Sequence, residues 1–169
     1  MNKTNHKQSI SWFANLITFV LISVLAIASL ASPAWAVSYN NRAIYDKDFS
    51  HQDLRDDSFD HATLRDSDFS YSNLRGVRFF SANLSGVNFE GADLRNADLE
   101  STRLTRANLT NAVLEGAFMT NSLLEGATIT GADFTNVLLS PTSERMLCKV
   151  VSGTNPTTGR DTKDTLFCP

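Results

Sequence analysis

A single-domain repeat fold of the solenoid kind is what this 169-residue chain predicts. Three observations carry that prediction. Large apolar residues recur at every fifth position over most of the chain, small residues recur two places before them, and the repeats stop at a tail bracketed by the two cysteines. A fixed internal period is the signature of stacked repeats that cannot bury their apolar faces alone. Composition narrows the class further. The length suits one domain. Hydrophobic residues at 42% are too many for a disordered chain and too few for a polytopic membrane protein. A formal net charge of −3 opposes a surface built to grip nucleic-acid phosphate. Two cysteines are too few for a disulfide scaffold or a Cys-only zinc site.

Residues 1–36 read as an export leader. Lys3 and Lys7 open it, an apolar run follows from Trp12 to Leu30, and no acidic residue occurs before Asp46. The run ends in Ser32-Pro33-Ala34-Trp35-Ala36, a small-x-small site that predicts cleavage after Ala36. A retained membrane anchor is the alternative, because the run approaches the length that spans a bilayer. Loss of the two leader lysines turns the net charge from −3 to −5 for a chain starting at Val37. Residues 37–41 form a lead-in.

The repeats occupy 42–141. The anchors are Ile44, Phe49, Leu54, Phe59, Leu64, Phe69, Leu74, Phe79, Leu84, Phe89, Leu94, Leu99, Leu104, Leu109, Leu114, Met119, Leu124, Ile129, Phe134 and Leu139. From Ala62 to Val137 the position two before each anchor is small or β-branched, and a mostly polar residue lies between, as in Ala92-Asp93-Leu94. A period of five fits neither the 3.6 of an α-helix nor the 2.0 of an ordinary strand.

These A-[DN]-L-x-x units resemble the pentapeptide-repeat family. The resemblance implies an all-β solenoid, a right-handed quadrilateral β-helix with one unit per side, four sides per coil and about five coils. It also implies that the anchor and its small partner both point inward. Residues 20 apart would then stack at about 4.8 Å, and the strict Phe–Leu alternation from Phe49 to Phe89 would put Phe ladders on opposite sides and Leu ladders between them. At the start, Lys47, Gln52 and Asp57 occupy the small inward slot, so the first coil is expected to be irregular and partly open.

Stacked coils expose backbone edges at both ends. Residues 142–169 are expected to cover one of them as a short α-helical cap. Ser140-Pro141 offers an N-cap followed by proline at the first helical position. Met146, Leu147, Val150 and Val151 would form one apolar face of a helix running to about Val151, and a further turn is expected within Asp161 to Phe167. In an exported chain Cys148 and Cys168, at the two ends of this cap, are expected to form a disulfide worth about 3 kcal/mol. A structural staple is the favoured reading and a redox switch the alternative.

No nucleophile elbow, phosphate loop, zinc-protease or dinucleotide motif occurs, so no catalytic residue, cofactor site or metal site is assigned. His51 and His61 lie half a coil apart and cannot share a metal. Candidate partner surfaces are of two kinds. Asp46, Asp48, Asp66 and Asp68 belong to a stretch of eight carboxylates against Lys47, Arg55 and Arg65, which would suit a basic partner or a divalent cation, or be a solvated face. Val113, Phe118, Leu123 and Leu138 put apolar side chains where the repeat is normally polar, forming a partner surface or a seat for the tail. Arg55, Arg75 and Arg95 run beside Asp53, Asn73 and Asp93 and suggest ion pairs between coils.

Leader, tube and clamped cap together resemble the pentapeptide-repeat proteins of the thylakoid lumen, although a bacterial periplasmic leader would look the same. That resemblance implies a non-enzymatic scaffold or interaction module with an unidentified protein partner, no nucleic acid, and no membrane once the leader is gone. Some family members mimic duplex DNA and inhibit topoisomerases. Here the tube would match only about seven base pairs, and export would keep it from a cytoplasmic gyrase.

Overall fold

The computed structural model describes residues 36–169, and its organising event is a corner every five residues. The leader assigned to residues 1–36 lies outside the described residues except for Ala36. From Asn41 to Asn136 every fifth residue has φ between 50° and 73°. Glycines at Gly76, Gly86, Gly91, Gly116, Gly126 and Gly131 take that conformation freely, and Asn and Asp fill much of the rest. From Asp56 on, the corners are closed by a turn hydrogen bond back to the anchor carbonyl, such as Ala62 N–H to Phe59 O at 3.0 Å and Ala97 N–H to Leu94 O at 3.1 Å.

Corners at this spacing bring the chain round to lie above itself after 20 residues. Parallel bridges record that register from Ser38↔Ser58 to Phe118↔Leu138. Each bridge is one residue long, so among the described residues the ladder consists of isolated bridges rather than extended strands. The bonds themselves are short. Leu94 N–H donates to Val113 O at 2.8 Å, and Val113 N–H donates to Ala92 O at 2.9 Å.

The interior is filled as the alternation predicts. Phe49 stacks on Phe69 at 4.7 Å between ring centroids, Phe69 meets Phe89 at 5.3 Å, and Phe59 stacks on Phe79 at 5.0 Å. Rings on adjacent sides meet edge to face, with Phe59 and Phe69 at 5.7 Å and 89°. Both geometries suit the aromatic quadrupole. Ladders of Leu54, Leu74 and Leu94, and of Leu64 and Leu84, fill the other two sides and are buried throughout. Hydroxyls in the small slot turn inward without being orphaned. Ser72 Oγ donates to Phe69 O at 2.6 Å, and Thr102 Oγ1 to Leu99 O at 2.7 Å.

Two boundaries differ from the sequence reading. The tube begins earlier than residue 42, because Tyr39 occupies an anchor position and stacks on Phe59 at 4.7 Å and 3°. The lead-in is therefore part of the first coil. Helix α1, Pro141–Leu147, starts at the proline expected in its first position but ends well before Val151. Ser140 caps it by accepting from Ser143 N–H at 3.1 Å, Leu147 is buried, and Val150 is exposed rather than on an apolar face. Helix α2, Thr162–Thr165, is capped by Asp161 and buries Leu166 just beyond its end, while Phe167 points outward.

The cap stands in for a further level of the tube. Gly131 N–H donates to Ser152 O at 2.8 Å, and Phe134 N–H to Thr165 Oγ1 at 3.1 Å, where lower anchors and corners use the carbonyl of the next coil. The cysteines close it by a Cys148–Cys168 disulfide with 5.5 Å between Cα atoms.

Gly91 shows how tightly the corners are set. A Cβ there would lie 2.6 Å from the Tyr71 ring, on a backbone with φ of +62°. Gly91→Ala should lower stability by about 1–2 kcal/mol from backbone conformation alone, and by more with Tyr71 present. Chemical denaturation of the single variant and of the Gly91→Ala/Tyr71→Ala pair checks this: the alanine should cost less without the ring.

Candidate functional site

Because the shaft is solid with side chains, any site lies on its outer wall or at its ends. Among the described residues no group of three or more His, Cys, Asp or Glu is placed to hold a metal ion. His51 and His61 are both exposed and both engaged with aromatic rings. His51 stacks on Tyr71 at 5.3 Å, and His61 meets Phe80 edge-on at 5.6 Å.

The acidic stretch does gather at the first coils, with Asp48 bridged directly to Asp68. Several of its carboxylates are, however, occupied by their own neighbours. Asp48 accepts from Ser50 N–H at 2.9 Å, and that backbone bond, aided by the Ser50 hydroxyl, holds it below the usual carboxylate range. Asp68 accepts from Ser70 N–H at 2.8 Å and from Asn88 Nδ2 at 3.0 Å. Asp60, mostly buried, pairs with Arg78 at 2.6 Å. Asp46 and Asp66 sit at exposed corners, one above the other.

Ion pairs of the arginine column run along a side and not between coils. Arg55 forks onto Asp53 with bonds of 2.9 and 2.8 Å, and Arg95 onto Asp93 with 2.8 and 2.6 Å. The reason is reach: two residues apart on one side puts the guanidinium in the plane of the carboxylate. Asn73 offers no carboxylate, and only the Arg75 amide reaches it, at 3.5 Å.

Apolar residues in the polar slot divide into two groups. Phe118 and Leu138 are bridged to each other and exposed by 46% and 53%, and Leu123 on the next side is exposed by 41%. A shallow cavity of about 330 Å³ between this wall and α1 continues from Leu123 past Leu124 to Ser143 and Met146. Val113, by contrast, is buried at 3%. Of the two readings of these residues, Val113 takes the seat for the tail, and the other three stay uncovered.

The clamp that holds the tail there escaped sequence reading. Asn155, fully buried, donates its Nδ2 to the carbonyls of Gly131, Asn111 and Ala112 at 2.8, 3.1 and 3.2 Å, and its Oδ1 accepts from the amides of Thr157 and Thr158. Arg160 spans Glu115 at 3.2 Å and the fully buried Asp133 at 3.1 Å. Burial alone would raise the Asp133 carboxyl, but bonds from the Thr135 hydroxyl and amide, with Thr158 and Arg160, hold it below its ordinary range. The available signal was the Asn155-Pro156 turn, which marks a bend and says nothing of what its side chain holds.

Known proteins match this geometry. The pentapeptide-repeats profile fits eight copies over residues 48–79, 72–111 and 102–140. The chain belongs to the pentapeptide-repeat family. Its repeat region is accordingly a right-handed quadrilateral β-helix. A pentapeptide-repeat protein of the Arabidopsis thaliana thylakoid lumen superposes with a TM-score of 0.75 and 46% identity, covering 76% of this chain and 89% of that one. A Nostoc PCC 7120 pentapeptide-repeat protein superposes with a TM-score of 0.51 and 25% identity, over 62% of this chain and 86% of that one. Among curated proteins, the chloroplastic thylakoid lumenal 15 kDa protein 1 of Arabidopsis thaliana is 56% identical over 39 residues. That match spans 23% of this chain and 17% of the relative.

Two outcomes follow for the clamped end. Asn155→Ala leaves the Asn111 and Gly131 carbonyls without their donor, while Ala112 O keeps its bond from Asp133 N–H, and should cost about 1–3 kcal/mol, read as a lowered midpoint in urea unfolding. Asp133 has a depressed folded pKa, so its stabilising contribution is present above the ordinary carboxylate value of about 3.9 and lost as pH falls through the folded value. Melting temperatures followed from pH 6 to 2 should fall on this account, and Asp133→Asn should flatten that acid limb.

Proposed function

We propose that this protein is a non-catalytic interaction module of the thylakoid lumen, a rigid tube of about five coils that presents one apolar wall to a protein partner. The observation that carries this reading is the pairing of Phe118 with Leu138, large and exposed in a slot that is polar elsewhere and left uncovered by the tail. An apolar patch on a rigid wall has no folding benefit, and such patches mark docking surfaces. The neighbouring Leu123 and the cavity running to Met146 extend it. The lumenal part of the reading is supported by the leader-like residues 1–36 and by the thylakoid lumen proteins that this chain resembles.

A photo-crosslinking residue placed at Leu123, in thylakoids of the native host, tests both parts. The expected result is a defined crosslinked band that is protected from protease added outside the membrane and that disappears in the Phe118→Asp/Leu138→Asp variant. Both side chains are about half exposed and the two aspartates would stack on Asp98, so a modest fall in melting temperature is expected and a retained cooperative unfolding transition shows that the variant is folded. Identical crosslinking by the two forms would overturn the docking surface, and a band cleaved by external protease would overturn the compartment.

A further inference from the structure

One inward slot of the first coil holds a charge. Asp57 stands two places before the anchor Phe59, where later sides carry Ala, Ser, Thr or Val, and it is only 5% exposed. Its Oδ1 accepts a bond of 2.6 Å from the backbone nitrogen of Val37. Val37 is pinned from its other side as well, since its carbonyl accepts from Ser58 N–H at 3.1 Å. Among the described residues no Lys, Arg or His pairs with Asp57; the nearby Arg55 and Arg78 are engaged with Asp53 and Asp60.

A buried carboxylate facing a single neutral amide is a poor arrangement. Burial pushes the Asp57 carboxyl up, Asp53 and Asp56 add to the push, and only the Val37 N–H opposes it. With a raised folded pKa, the group stabilises the fold below the ordinary carboxylate value, and that contribution is lost as pH rises through the folded value. At neutral pH the first coil of the unprocessed chain carries this cost.

The nitrogen that touches Asp57 is the one that cleavage after Ala36 would release. We propose that cleavage of the Ala36–Val37 bond completes the first coil, because the new Val37 α-ammonium becomes the counter-ion of the buried Asp57. The proposal rests on the exported reading above, since it needs the leader removed at that bond. The step is a hydrolysis by a signal-peptidase-class protease. One water is consumed, its hydroxyl going to the Ala36 carbonyl carbon and its proton to the Val37 nitrogen, which takes up a further proton at neutral pH. The Ala36 carboxylate leaves with the leader. An amide donor becomes a three-donor cation without moving. The register is strict: a start one residue earlier carries the charge about 3.8 Å further along the chain, away from the carboxylate.

Residues 36–169 contain the whole tube with its own core, so the chain starting at Val37 is the form to test. Its α-amine titration, followed by NMR, should show a pKa about 1–3 units above the ordinary value. In the chain starting at Ala36 the shift should vanish, a comparison that leaves the core untouched, and Asp57→Asn should abolish it too. Hydrogen exchange at the Ser58 amide should be slower from a free Val37 than from N-acetyl-Val37. An ordinary amine pKa in the Val37 chain, or equal exchange in the free and acetylated chains, would overturn the ion pair while leaving the lumenal reading intact. N-terminal sequencing of the native protein separates the failures: a start at Val37 supports the proposal, another trimmed start overturns it alone, and a retained leader overturns it in favour of the membrane-anchor alternative.

Discussion

The whole structure depends on the left-handed corner. A chain that bends at every fifth residue has sides too short to pair within themselves, so apart from the turn bonds at the corners its backbone groups find their partners one coil away. That requirement sets the vertical register at 20 residues, seen in Asp93↔Val113↔Asp133. Once register is set, side-chain choice is no longer free. A residue in an anchor position meets its counterparts above and below at stacking distance, which is why Phe49, Phe69 and Phe89 form one column and Phe59 and Phe79 another. Volume must also balance across the shaft, and Leu on the intervening sides keeps each level full without overfilling it.

Stacking of this kind leaves both ends unfinished, and the two ends are finished by different means. At the upper end the tail supplies borrowed partners: a carbonyl from Ser152, a hydroxyl from Thr165, and the three-way amide of Asn155. The Cys148–Cys168 bond then ties the tail into a closed loop, restricting the ways in which it can come away. At the lower end no folded cap exists among the described residues. Tyr39 closes the aromatic column, and Lys47 and Gln52 are too polar for the interior and stay outside, leaving Asp57 as the only acidic group in the slot row that is drawn inside.

Anchors and small slots were legible because burial imposes one requirement on every copy of the repeat. The corners were equally regular but were not read as a column, since Gly, Asn, Asp, His, Tyr, Ser and Arg all occur there and share a backbone angle rather than a chemistry. Tyr39 lay one step before the first anchor recognised, and only its stack on Phe59 reveals it as part of the series. Non-periodic features were the hardest. Val113 and Phe118 look alike in sequence, both apolar in a polar slot, and only the path of the tail separates them, burying one and leaving the other exposed. The length of α1 was overread for a similar reason: Val150 and Val151 suit a helix face, but the chain must turn after Leu147 to bring Cys148 to Cys168.

A filled tube also constrains where function can reside. Outward side chains on the four walls of the tube diverge, so groups on different walls do not meet at one point. What the walls offer instead is spacing: positions 20 apart repeat one residue above another, so chemistry is displayed in columns. The acidic columns of Asp48 and Asp68 lie at the first coils, the apolar column of Phe118 and Leu138 at the last. The first is satisfied internally by Ser50, Ser70 and Asn88, whereas the second is left about half exposed among the described residues. Polar groups that have found their bonds gain little from a partner, while exposed apolar surface gains from any partner that removes it from water. On the proposed reading, this asymmetry between the two ends makes the upper wall, rather than the acidic first coils, the side for a partner.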